Sequence, residues 1–171
     1  MIDDRFKKII RSSRGCAIVI AGSDSDKSHI DRVVSSLRTY GIPHQVRICS
    51  AHKQPDRLQE IIEEYNHVGG SVAYVAIASE TDGLSGALSY HAFGPVISCP
   101  PDHLNLSCLN NPKGSSNAYI ADPDNVGRFI AQIYSWINPN YREKLMGEKE
   151  TKLISLEEAD VRFRENYAEE R

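Results

Sequence analysis

Short apolar runs alternate along the chain with stretches of helical period, an alternation that predicts β-α units built on a parallel sheet. Cys16-Ala17-Ile18-Val19-Ile20-Ala21 has no polar alternation, so it reads as a strand covered on both faces and lying near the sheet centre. After the turn Gly22-Ser23-Asp24-Ser25-Asp26, residues Ile30, Val33, Val34 and Leu37 recur at i, i+3, i+4 and i+7, predicting a helix that Gly41 ends. A second strand is expected over about 44–48. Pro55 then suits the first turn of a helix whose buried stripe is Leu58, Ile61, Ile62 and Tyr65 and whose exit is Gly69-Gly70. Residues 72–78 read as a third buried strand and 95–99 as a fourth, which Pro100-Pro101 stops. Between them a small-residue helix is expected around 85–93. A short strand at 118–120 precedes an amphipathic helix over about 123–138, lined by Val126, Phe129, Ile130, Ile133 and Ile137.

These elements predict an α/β fold: a flavodoxin-like doubly wound parallel sheet in a three-layer α/β/α sandwich, one domain with a C-terminal helical extension. The expected divisions are a basic lead-in over 1–14, forming a solvated tail or a single helical turn, the α/β domain over 15–138, and a charged extension over 139–171. That extension carries Leu145, Leu153, Leu156, Phe163 and Tyr167 among many charges, so it reads as one or two helices packing outside the main core, on another subunit.

Composition adds limits. A chain of 171 residues, 40% hydrophobic, can close a core without disulfides or metal. Twenty basic against 23 acidic side chains give a net charge of −3, which argues against nucleic acid as principal partner, so any anion must be caught locally. No apolar run approaches the roughly 20 residues of a membrane helix. The first residues lack the apolar core of a secretory signal, and a soluble cytoplasmic protein is expected. Cys16, Cys49, Cys99 and Cys108 form no C-x-x-C pair and read as reduced packing groups. Cys99, His103 and Cys108 would give only three zinc ligands in an unusual spacing, so no metal is assigned.

In doubly wound sheets ligands sit at the carboxyl ends of the strands. That rule nominates the loops 22–26, 49–55 and 79–86. In the first, Gly22, Ser23, Ser25 and Asp26 could cradle a phosphate on the unpaired amides of a helix start, or simply cap that helix. The second places Ser50, Ala51, His52 and Lys53 together, an ammonium to neutralise an anion beside an imidazole able to exchange a proton near neutral pH. The other five histidines read as surface or packing groups. The third carries Glu80 and Asp82, which read as solvated loop carboxylates, with acid-base work or a divalent cation as the sharper alternative. No G-x-S-x-G elbow supports a serine hydrolase.

Gly22-Ser23-x-Ser25-Asp26, Ser50-Ala51-His52-Lys53, Gly83-Leu84-Ser85-Gly86 and Ile97-Ser98-Cys99-Pro100-Pro101, in this order, resemble the motifs of the phosphoribosylaminoimidazole carboxylase (PurE) family over roughly residues 15–138. Lys53 and the Ser-Cys-Pro-Pro ending resemble the branch that uses free carbon dioxide. The resemblance implies a lyase of purine biosynthesis that interconverts 5-aminoimidazole ribonucleotide (AIR) plus CO2 with its 4-carboxy product (CAIR). Ser23, Ser25 and Asp26 would hold phosphate and ribose, Ser50 and Lys53 would assist, and Ala51, Ala78, Ser79, Gly83 and Leu84 would complete the binding surface. His52 would carry the proton. The resemblance implies no cofactor and a homo-octamer with active sites between subunits.

The third loop departs from that branch. Ala78-Ser79-Glu80-Thr81-Asp82-Gly83-Leu84 stands where Ala-Gly-Arg-Ser-Asn-Gly/Ala-Leu is usual, and Ser107-Cys108-Leu109-Asn110 where Ser-Ser-Leu-Arg is usual. A ribonucleotide-binding relative without carboxylase activity is therefore the second reading. A flavodoxin-type electron carrier is a third, weakened because no aromatic residue flanks the second and third loops.

Overall fold

The computed structural model describes residues 2–102 and 105–168. The polypeptide begins with α1 (Asp4–Ser12), β1 (Cys16–Ala21), α2 (Lys27–Thr39), β2 (His44–Ile48), α3 (Pro55–Val68) and β3 (Val72–Ile77). It continues through α4 (Gly83–His91), β4 (Val96–Ser98), β5 (Ala118–Tyr119), α5 (Val126–Tyr134) and α6 (Pro139–Asn166). All strand pairings are parallel and the sheet order is β2-β1-β3-β4-β5. This is the flavodoxin-like doubly wound fold, with its reversal of strand order between β1 and β3.

Side-chain alternation along β1 divides the core. Cys16, Ile18 and Ile20 pack with Phe6 and Ile10 of α1, Leu58, Ile61, Ile62 and Tyr65 of α3, and Leu84 and Leu88 of α4. Ala17, Val19 and Ala21 face the other way, onto Ile30, Val33 and Leu37 of α2 and Val126, Ile130 and Ala131 of α5. Helices therefore cover both faces, which is why β1 and β3 carry no polar alternation. β2 lies at an edge and is only half covered.

The N-terminal segment is not a solvated tail or a single turn. Residues 4–12 form a helix of nine residues capped by Asp3, whose side chain accepts from the Phe6 amide at 2.9 Å. Ile2, Phe6 and Ile10 are buried in the core, while the intervening lysines and arginines face water. The last sheet-covering helix also ends earlier than expected, at Tyr134 rather than near 138.

The C-terminal segment is one helix of 28 residues, about 42 Å long. Its first turns are tied down: the Tyr141 hydroxyl donates to the Gly15 carbonyl at 2.6 Å, and the Lys144 ammonium to the Thr39 carbonyl at 3.0 Å. Glu148 accepts from Arg128 and the Tyr40 hydroxyl. Farther on, Leu153, Ile154, Leu156, Val161 and Phe163 are exposed in the single chain. All four cysteines are buried and free. Burial pushes the Cys16 thiol up to about 11 and Cys99 up to about 12, and raises Cys49 and Cys108 as well. Among the described residues no helix is long and apolar enough to cross a membrane.

Candidate active site at the strand ends

The strand ends bring the three nominated loops side by side. The Gly22 amide donates to the Ile77 carbonyl at 2.9 Å, and the Cys49 amide to the Ala21 carbonyl at 2.9 Å, so the exits of β1, β2 and β3 are stitched together by backbone. A Cβ built at Gly22 would meet Ile77 O at 3.8 Å and the Ala78 Cβ at 3.9 Å, ordinary contacts. The fold does not demand glycine at 22, and its missing side chain leaves the space before the turn open.

Ser23 caps a 3₁₀ turn over Asp24–Asp26. Its hydroxyl oxygen accepts from the Ser25 amide at 3.2 Å and from the Ser25 hydroxyl at 2.8 Å, which leaves the Ser23 proton available to an acceptor outside. Capping is thus realised, and it orders the hydroxyl pair at the switch point. Asp26 is half-buried, and its carboxyl is held above the usual range first by burial, with His29 opposing and Asp102 reinforcing the shift.

In the second loop the Ser50 carbonyl accepts from the Gln54 amide at 2.8 Å and the Ser50 hydroxyl from the Lys53 amide at 3.3 Å. The resulting turn leaves His52 and Lys53 exposed, with Ala51 at intermediate exposure. The His52 ring lies against Gly83, where an added Cβ would stand 3.0 Å from Nε2 and 3.2 Å from Cε1. An imidazole carried by the second loop therefore rests on the first residue of α4, which the third loop supplies.

The third loop corrects one expectation. Asp82 is buried, not a solvated carboxylate. Oδ1 accepts from the Ser85 amide at 2.7 Å, capping α4, and Oδ2 accepts from the Ser98 hydroxyl at 2.8 Å. The Asp82 amide in turn donates to the Ser107 hydroxyl at 2.8 Å. A structural anchor of this kind is not free to face a ligand. Asp82→Ala is expected to lower stability by about 2 kcal/mol, since a helix cap and a buried hydroxyl partner are lost together; a denaturant titration checks it.

Ala78 is buried and Ser79 exposed; the Leu84 side chain packs in the core, so only its backbone faces the loop side. Glu80 is exposed and sits in the left-handed region at φ 59°. Its amide donates to Asp102 Oδ2 at 2.9 Å, and its carbonyl accepts from Asn105 Nδ2 at 2.8 Å and the Ser107 hydroxyl at 3.3 Å. Asp102, Asn105 and His29 were not visible as site residues in sequence, whereas Ser107 stands in the segment 107–110 that the resemblance already picks out. The signal was present only as a cluster of short polar side chains after Pro100-Pro101, a loop whose target lies more than 20 residues away. His29 Nε2 lies 3.0 Å from the Cys99 carbonyl oxygen, and burial pushes its imidazole below the usual range.

His103, part of the zinc alternative, lies outside the described residues. Among the described residues no three His, Cys, Asp or Glu side chains are grouped to hold a metal.

A parallel sheet with its order reversing between β1 and β3, and polar loops at the strand exits there, is the doubly wound α/β class, whose ligands sit at that switch point. The family model described as AIR carboxylase matches residues 17–153, and the chain belongs to that family. It is 34% identical over 171 residues to the bifunctional phosphoribosylaminoimidazole carboxylase/phosphoribosylaminoimidazole succinocarboxamide synthetase of Rattus norvegicus, covering 96% of this chain and 40% of that protein. It is 31% identical over 154 residues to the phosphoribosylaminoimidazole carboxylase of Archaeoglobus fulgidus, covering 86% and 84%. The crystal structure of Treponema denticola PurE superposes with a TM-score of 0.81 at 29% identity, covering 86% of this chain and 97% of that one. This chain thus spans about two fifths of the length of the bifunctional relatives it matches.

Proposed function

We propose that this chain interconverts AIR plus CO2 with CAIR in purine biosynthesis, with His52 as the proton carrier. The observation that carries the reading is the exposed His52 ring resting on Gly83, on a loop whose strand exit is hydrogen-bonded to that of the loop holding the Ser23–Ser25 hydroxyl pair. In the forward direction the electron-rich C4 of the aminoimidazole attacks the carbon of CO2, forming the C–C bond, and one C=O electron pair becomes the carboxylate. His52 then takes the C4 proton and the ring regains aromaticity. Ser23, Ser25 and Asp26 bind phosphate and ribose, helped by Ser50 and Lys53, with Ala51, Ala78, Ser79, Gly83 and the Leu84 backbone around the heterocycle. Family membership and the order of the motifs support this assignment. The reading needs no cofactor and places the protein in the cytoplasm as a homo-oligomer, an octamer, with the outer half of α6 lying on neighbouring copies.

The test is calorimetric titration with AIR followed by a turnover assay for CAIR decarboxylation without ATP or added metal. Binding with turnover is expected; binding without turnover in either direction would leave the second reading, a ribonucleotide-binding relative. Glu80 is the observation that favours that alternative, because the resemblance puts an arginine there. Two like charges about 4 Å apart cost about 4 kcal/mol at an effective dielectric near 20, enough to suppress a rate by several powers of ten. If the unmodified chain is inactive for this reason, Glu80→Arg should create activity, and failure to gain any removes that explanation.

A further inference from the structure

His29 is a second histidine at the strand ends, and the proposed chemistry does not use it. It stands in the first turn of α2, half-buried, with Nε2 3.0 Å from the Cys99 carbonyl oxygen and 3.4 Å from Cys99 Sγ. A carbonyl oxygen can only accept, so Nε2 carries a proton. Asp26, Arg32 and Asp122 are the charged groups that act on the ring.

Cys99 is the first residue beyond β4, and the Ser98-Cys99 exit is fixed to the sheet by the Cys99 amide, which donates to Ala76 O at 2.9 Å. Pro100 and Pro101 follow, with φ locked by their rings, and then Asp102. The Asp102 carboxylate accepts from the Glu80 amide at 2.9 Å and from Asn105 Nδ2 at 3.2 Å. A short chain of hydrogen bonds and one stiff spacer therefore runs from the α2 turn that follows Asp26 to the left-handed residue of the third loop.

We propose that His29 is a positioning residue which, by holding the Cys99 carbonyl, sets where the third loop stands relative to the turn at 22–26. Its effect on turnover rests on the carboxylase reading; its effect on the loop does not. Glutamine places an N–H donor at a similar reach, so His29→Gln keeps the link and His29→Ala removes it.

The experiment combines hydrogen exchange on the full chain with CAIR decarboxylation kinetics for the unmodified protein, His29→Ala and His29→Gln. In His29→Ala the amides of 79–85 should exchange about tenfold faster, kcat should fall about tenfold, and KM should change less than about threefold, the scale of one lost neutral hydrogen bond. His29→Gln should restore both. Unchanged exchange at 79–85 overturns the proposal, as does an acceleration spread equally over β1 and β3, which would mark general loosening. Faster local exchange with kcat unchanged overturns the role in catalysis. If the unmodified chain turns over no ribonucleotide, the carboxylase reading fails while the exchange comparison still decides the role of His29.

Discussion

Replacing His52 by asparagine is expected to cut CAIR decarboxylation by about 10²- to 10⁴-fold while AIR affinity stays within about threefold. Asparagine keeps a polar group of similar reach but cannot take up and release a proton near neutral pH. The hydroxyls and Lys53 that we propose bind the sugar-phosphate are untouched by the change. Gly83→Ala approaches the same ring from the other side. Its Cβ would lie 3.0 Å from His52 Nε2, and because the imidazole is an exposed side chain it can yield, so turnover should drop with little loss of stability. Initial rates and calorimetric titration of both variants check this. Retention of full turnover in His52→Asn would sink the assignment of the proton carrier.

Gly127→Ala should cost about 3 kcal/mol of stability, a fall in Tm of roughly 6–12 °C. A Cβ there would stand 2.2 Å from the Ser36 carbonyl oxygen and 2.8 Å from its hydroxyl. Backbone oxygen cannot swing aside, and the Ser36 hydroxyl is engaged twice, donating to the Asp124 carbonyl at 2.7 Å and accepting from the Gly127 amide at 2.8 Å. Helices α2 and α5 would have to part. Gly86→Ala in α4 is the matched control: no heavy atom lies within 4 Å of its Cβ, so helix propensity alone should leave it neutral or slightly stabilised. Thermal unfolding of the two variants separates close approach from propensity.

Much of the fold was legible because punctuation and period agreed. β1, β2 and α3 fall where the unbroken apolar run, the Pro55 start and the Gly69-Gly70 exit put them. α1 was hidden because Ile2, Phe6 and Ile10 are spread among lysines and arginines, and a stripe repeating every fourth residue is easily read as a charged tail. The rule of strand ends nominated the loops at 22–26, 49–55 and 79–86, and the structure joins the strand exits that carry them and sets His52 against Gly83. Which carboxylate was structural was not. Asp82 is three residues before Ser85, a spacing that allows a cap, but its other partners, Ser98 and Ser107, lie 16 and 25 residues away and come into reach only through the order of the sheet. His29 escaped for the same reason: its partner is 70 residues on, just past the end of a strand two places from β1.

The four buried thiols make the molecule its own unfolding reporter. Each sulfur is shielded from solvent and kept protonated, so a maleimide or an aromatic disulfide finds no thiolate while the chain is folded. Cys16 belongs to β1, deep in the sheet, whereas Cys108 hangs in the loop that braces Glu80. Labelling at the first clocks global opening, and labelling at the second clocks release of that brace, from the same tube and without a dye attached.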